Sequence, residues 1–195
     1  MTCVQLQSYN RACGGVTGGI SDILIFDPAD FDFTQAADVA GVKQPYTVVA
    51  RATGVDPAAV FYRVNFQEKE AERLWAHTVT GCSVKYEHTV NAQLPQLSQG
   101  LTTFLQSLDS AGCCCGLGLI IRHNDGKIFV MGEKIVNSES IPKFSVKMEG
   151  SDGTSGKLFD DFNGANVVIK GEYSRDLFEY TGTWASLEAL MVAGA

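Results

Sequence analysis

The chain has 195 residues, 45% of them hydrophobic and 19% charged, and its 15 Lys and Arg against 22 Asp and Glu give a formal charge of -7. That length predicts one compact domain with a sizeable core. The charge argues against a phosphate-gripping surface, because affinity for nucleic acid rests on Lys and Arg neutralising phosphates. No apolar run approaches the roughly 20 residues a membrane-crossing helix needs, and residues 1–7 lack the basic and apolar regions of a secretory leader. A cytosolic protein with no membrane partner is expected.

In chain order, the glycines at 14, 15, 18 and 19 follow neither G-x-x-x-x-G-K-[ST] nor G-x-G-x-x-G and read as turns. A short apolar strand over 20–26 ends at Asp27-Pro28. Asp22, Asp27, Asp30 and Asp32 crowd this region with Phe26, Phe31 and Phe33 interleaved. They lack calcium-loop spacing and are expected to form an exposed acidic loop.

Strict alternation marks two strands, 60–67 and 81–92. The first carries Val60, Tyr62, Val64 and Phe66 on one face, and the second carries Cys82, Val84, Tyr86, His88, Val90 and Ala92. The charged segment 68–73 between them is expected to be a solvated hairpin tip or a short helical cap. His88 is expected to be a satisfied core histidine. His77 and Cys82, five residues apart, would face opposite sides of a strand and form no dyad. No G-x-S-x-G elbow is present.

Leu94, Leu97, Leu101, Phe104, Leu105 and Leu108 recur at three and four, which predicts one amphipathic helix over about 94–109. Pro95 would sit in its first turn and Gly112 would end it. Cys113, Cys114 and Cys115 are expected to be small buried hydrophobes, with a reactive thiol or an intersubunit disulfide as alternatives. No C-x-x-C pair is present, and no zinc site is expected. Two apolar strands, 117–122 and 127–131, flank Asn124-Asp125-Gly126, a hairpin signal, and both arms read as buried on two faces. His123 in that loop is expected to be solvated. Residues 143–149 alternate again, 150–156 form a loop rich in turn residues, and Asp160-Asp161 belong to a turn rather than a catalytic pair. A last strand runs over 166–173, introduced by Asn163-Gly164, and the apolar segment 187–195 needs a partner surface.

The sum is a mainly β chain: an antiparallel β-sandwich or barrel with one amphipathic α-helix, in a single domain over 1–195. No catalytic residue, metal or cofactor is expected. The order of features resembles the tail tube proteins of tailed bacteriophages. The resemblance is carried by Gly18-Gly19-Ile20 leading into a strand, the long strand ending at Gln93-Leu94-Pro95-Gln96-Leu97, the helix, the hairpin at Asn124-Asp125-Gly126-Lys127 and Met131-Gly132-Glu133. Gly153-Thr154-Ser155-Gly156-Lys157, Asp160-Asp161-Phe162-Asn163-Gly164 and Gly171-Glu172-Tyr173 extend it. The triple Cys and the tail over 181–195 depart from it.

That resemblance implies a structural virion protein, made in a host bacterial cytoplasm and located in the virion tail. It would assemble with itself into rings, usually hexameric, that stack into a tube beside other tail proteins. The genome would pass through the lumen without tight binding, and an acidic wall suits that passage. An extended hairpin over 60–92 with its tip at 68–73 would reach a neighbour. Phe31, Phe33, Glu68, Glu70, Arg73, Trp75 and Asp152 are the expected interface residues. Alternatives are another virion component (head, neck or tail terminator), a secretion or contractile-injection tube protein, a monomeric ligand-binding β-barrel with a cavity lined by Tyr62, Tyr86 and His88, and a thiol enzyme using the three cysteines.

Overall fold

The computed structural model describes residues 18–39, 42–55, 59–67, 69–81, 83–141, 145–157 and 161–191. The strands are β1 (Ile20–Phe26), β2 (Phe31–Gln35), β3 (Tyr46–Arg51), β4 (Tyr62–Val64), β5 (Ala71–Thr80), β6 (Ser83–Pro95), β7 (Gly118–His123), β8 (Ile128–Met131), β9 (Ile135–Val136), β10 (Glu139–Ser140), β11 (Ser145–Thr154), β12 (Gly164–Tyr173) and β13 (Phe178–Tyr180). Helix α1 spans Gln99–Cys114 and α2 spans Trp184–Glu188. Nine strands form one sheet in the order β10-β9-β2-β3-β13-β8-β7-β1-β4, and four form a second in the order β11-β12-β6-β5. Pairing is antiparallel except at β13–β3 and β2–β9. The result is a sandwich-like, mainly β fold with open sheets, not a closed barrel.

Two cores lie on opposite faces of β1 and β7. Ile23, Ile25, Leu119 and Ile121 face the four-stranded sheet, where they meet Val90, Ala92, Val167 and Ile169. Leu24, Phe26 and Ile120 point the other way, into a cluster with Phe31, Phe33, Tyr46, Phe61 and Val130. Successive strand residues point to opposite faces, so two buried faces demand a continuous apolar run, as in 117–121. The larger sheet curls strongly. β2 lies five strands from β1 in the sheet order, yet the Phe26 ring sits 5.7 Å from Phe31 and 5.5 Å from Phe33.

The expected turn at Asn124-Asp125-Gly126 is present: Gly126 has φ 86°, and Lys127 N donates to Asp125 Oδ1 at 3.1 Å. Gly118, the first residue of β7, has a packing role, since a Cβ there would lie 2.4 Å from the Phe26 ring.

The helix departs from its expected bounds. Leu94 and Pro95 belong to β6, with Pro95 opposite Gly164, and Ser98 caps α1 by accepting from Leu101 N at 3.2 Å. Leu94 is buried in the sheet, Leu97 is 44% exposed, and Leu108 is the buried residue of α1. Gly112 does not end the helix. It lets α1 close on β11, where a Cβ at 112 would stand 3.2 Å from Lys147 Cβ. Cys113, Cys114 and Cys115 are exposed, not buried.

Three further expectations change. β11 extends through Thr154, so most of the expected loop over 150–156 is strand paired with β12. Asp22 is buried on β1, its carboxylate between Arg63 and Arg122, and so is no part of an exposed acidic loop. The apolar tail finds its surface on its own chain: Leu187 in α2 is fully buried in the second core, with Trp184, Leu190 and Met191 against it. Residues 192–195 lie outside the described residues. Among the described residues no helix is long and apolar enough to cross a membrane.

Candidate functional site

The four-stranded sheet packs its inner face on the second layer. From base to tip, Leu94, Ala92 and Val90 lie beneath α1, β4 and β1. Near the other end Gly171 approaches Met131 of β8, and Gly132 N donates to Tyr173 Oη at 2.5 Å. β12 ends at Tyr173, opposite Tyr86, while β5 and β6 continue to pair as far as Thr80 opposite Ser83. The hairpin therefore overhangs the body.

Its inner face stays apolar past the point where cover ends. On β5 the residues 71, 73, 75, 77 and 79 share that face, because Ala71 pairs with Ala92, Arg73 with Val90 and Trp75 with His88. Ala71 is 4% exposed, but Trp75 is 54%, Val79 61% and Val84 37% exposed. Rings line up along it: Trp75 stacks on His77 at 5.8 Å, His77 on Tyr86 at 5.7 Å, and Tyr86 on His88 at 6.4 Å. Leu74, on the outer face, is 49% exposed. β5 is also an edge strand, with one side of its backbone unpaired by any strand among the described residues.

The expected tip is corrected. β6 pairs with β5, the strand within 60–67 shortens to β4 in the other sheet, and the hairpin turns beside Gly81 (φ 61°) rather than at 68–73. Glu70, Arg73 and Trp75 thus lie at or along β5. Glu70 is exposed, and the Arg73 guanidinium sits 4.2 Å above the Phe129 ring. Glu68 lies outside the described residues. Phe31 and Phe33 are 0% exposed and hold the second core, so the expectation that they meet a neighbour is corrected. Asp152 is exposed on β11, at the opposite edge of the sheet, and accepts from Asn166 Nδ2 at 3.0 Å. The expected set is therefore scattered over β2, β5 and β11, with only Arg73 and Trp75 sharing a strand at the overhang. His77 and Val79 share the exposed inner face of the hairpin with Val84, and the sequence reading singled out neither for an interface. Their signal was the alternation of 71–79, masked by the choice of 60–67 as the partner of 81–92, on whose apolar face Val84 is expected.

The outer face of this sheet carries Glu72, Glu87, Glu149, Asp152 and Glu172 against Lys85, Lys147 and Lys170 among the described residues. Lys85 reaches Glu172 at 2.7 Å, and Lys170 reaches Glu87 at 2.8 Å and Glu149 at 3.6 Å. Lys85 and Lys170 are engaged, and the face keeps an acidic excess.

Polar groups buried between the layers are structural. Glu133, 0% exposed, accepts from Tyr46 Oη at 2.9 Å and from Arg175 Nη2 at 2.5 Å. Burial first, and the Glu133 carboxylate second, push the Tyr46 and Tyr173 phenols above their ordinary pKa. His88 is buried as expected but not hydrogen-bonded: neither ring nitrogen has such a partner among the described residues, and Asp176 Oδ1 lies 3.4 Å from Nε2. Burial lowers its pKa to about 4. His123 is half-buried against Phe129 at 5.0 Å, not solvated, and burial lowers its pKa too.

Tyr62, Tyr86 and His88 do not line one cavity. Tyr62 is 57% exposed on β4 and borders an open groove of about 480 Å³ beside Phe104 and Leu108 that neither Tyr86 nor His88 lines. Asp161 Oδ2 accepts from Lys157 N at 2.7 Å, a turn role, while Asp160 and Cys82 lie outside the described residues. Among the described residues no group of three or more His, Cys, Asp or Glu could hold a metal ion. No family model, no curated protein and no solved structure matches this chain.

Proposed function

We propose that this chain is a structural protein that assembles with itself into stacked rings, the tube of a phage tail, with no catalytic step. The observation that carries the reading is the β5–β6 overhang: an apolar face that outruns its own cover, on an edge strand open on one side among the described residues. Exposed Trp75, Val79 and Val84 are costly in water, at about 25 cal/mol for each Å² of apolar surface, and an open ten-residue edge invites another chain. A head-to-tail contact that closes into a ring satisfies both without open-ended growth in the plane. The acidic excess on the outer face of the same sheet suits a wall past which DNA slides, since Lys85 and Lys170, held by carboxylates, do not grip phosphate. A genome conduit, a virion location and other tail proteins as partners follow from the reading. A tube of an injection system would use the same contacts.

Negative-stain imaging and sedimentation of the purified chain test it. Rings or tubes are expected, and Trp75→Ser combined with Val79→Ser abolishes them while leaving the unfolding midpoint of the monomer within about 0.5 kcal/mol of the parent. A parent chain that stays monomeric at millimolar concentration, or a double variant that still assembles, refutes it.

A further inference from the structure

A second feature lies where the hairpin meets the body. Arg73 of β5 and His123 of β7 meet at Phe129 of β8, the guanidinium 4.2 Å and the His123 ring 5.0 Å from it, and Arg73 also acts electrostatically on His88 of β6. Among the described residues, Arg73 Nη1, both nitrogens of His88 and Nε2 of His123 are buried without a hydrogen-bond partner. We propose that this seam is an acid-operated latch, closed while both imidazoles are neutral and opened when they take up protons, so that the β5–β6 hairpin releases from β7 and β8. The inference stands on the fold of one chain and does not depend on the assembly reading.

The charges around the seam are unbalanced in the required direction. Asp176 faces His88 and Arg73 and is the carboxylate that favours their positive forms. It is half-exposed, already accepts from Leu177 N at 2.7 Å, and serves two cations at once. Arg73 opposes protonation of both imidazoles. Asp125 favours a proton on His123, and Lys127 opposes it. Around His88 the Tyr86 and Tyr173 rings offer stacking and edge contact, and its strand partners Trp75 and Gly171 bring no charge either. Closed, the seam keeps the imidazoles apolar partners of aromatic rings. Opened, it returns them to water, where a histidine takes its proton near pH 6.5.

The sign follows by linkage. The open state binds more protons between about pH 6.5 and the folded value of about 4, so opening becomes easier as pH falls through that window and levels off below it. For His88 alone the open-to-closed ratio rises about tenfold per pH unit, about 300-fold across the window.

Hydrogen exchange followed by mass spectrometry between pH 7 and pH 4, corrected for intrinsic exchange rates, reads this directly. Peptides from β5 and β6 are expected to lose protection across the window while those from β1 and β7 keep theirs. His88→Phe, which preserves the ring packing, removes the His88 share of the rise, and His123→Gln removes part of the remainder. Unchanged protection of β5–β6 down to pH 4, equal loss in all strands, or a full-sized rise in both variants overturns the latch. Should His88→Phe fail to fold at neutral pH, the contrast between strands in the parent chain and the His123→Gln variant decide.

Discussion

Leu108→Ala separates the observed helix from the stripe that sequence spacing suggests. Leu108 is 3% exposed and meets Phe104, Ile23, Val90 and Ile169 around a gap of about 10 Å³, while its other side borders an open groove of about 480 Å³ shared with Ile25, Tyr62 and Ala111. The truncation removes three carbons at about 0.8 kcal/mol each and opens a cavity costing about 24 cal/mol per Å³, which together give about 3–4 kcal/mol. Leu97 belongs to the same spacing pattern but is 44% exposed outside the helix, so Leu97→Ala costs about 1 kcal/mol. Urea unfolding at a concentration too low for assembly measures both. With a slope of about 3 kcal/mol per M, Leu108→Ala moves the midpoint down by about 1 M at unchanged slope, and Leu97→Ala by about a third of that. Equal midpoints for the two variants would refute the placement of α1 and restore a helix beginning at 94.

Three other outcomes follow from the packing. Arg175→Met leaves the buried Glu133 carboxylate without its cation and costs about 3–5 kcal/mol in thermal unfolding, and adding Glu133→Gln recovers part of the loss; a cost below 1 kcal/mol contradicts the pairing. Gly118→Ala drives a methyl to within 2.4 Å of the Phe26 ring and costs about 1–3 kcal/mol, less in the presence of Phe26→Leu; additive effects would mean the two do not touch. Cys113 and Cys115 react with a maleimide in the native state at the rate of exposed thiols, mapped by peptide mass spectrometry, and labelling that waits for unfolding would contradict their exposure.

Much of the architecture is legible in local pattern. The strand over 20–26, the hairpin at Asn124-Asp125-Gly126, the strand ending at Tyr173 and the presence of one substantial amphipathic helix all follow from periodicity and turn chemistry. Alternation specifies which face of a strand is apolar but says nothing about which strand lies beside it. That is why 60–67 was matched to 81–92, when 71–80 is the true partner. The helix boundary slipped for a related reason: Leu94 fits an alternating strand and a helical stripe equally, and its pairing with Ala165 chooses the strand.

The candidate site depended on that pairing. Trp75 could be singled out as a large aromatic in a charged neighbourhood, but its exposure comes from the second layer ending at β8, short of the hairpin's tip. Phe31 and Phe33 look the same in sequence and are buried, because the large sheet curls back to bring them against Phe26 and Phe61.

By itself, then, the sequence determined a mainly β chain with one long helix, its main turns and the apolar face of most strands, since these rest on neighbours a few residues apart. Only the tertiary structure decided which apolar residues are covered and which charges are paired. Asp22 is buried because Arg63, 41 residues on, and Arg122, 100 residues on, meet it there. The three cysteines are exposed because residues 113–115 end a helix at its surface, where successive side chains point about 100° apart and cannot all face one core. Burial and pairing are properties of contacts distant in sequence, and no local period records them.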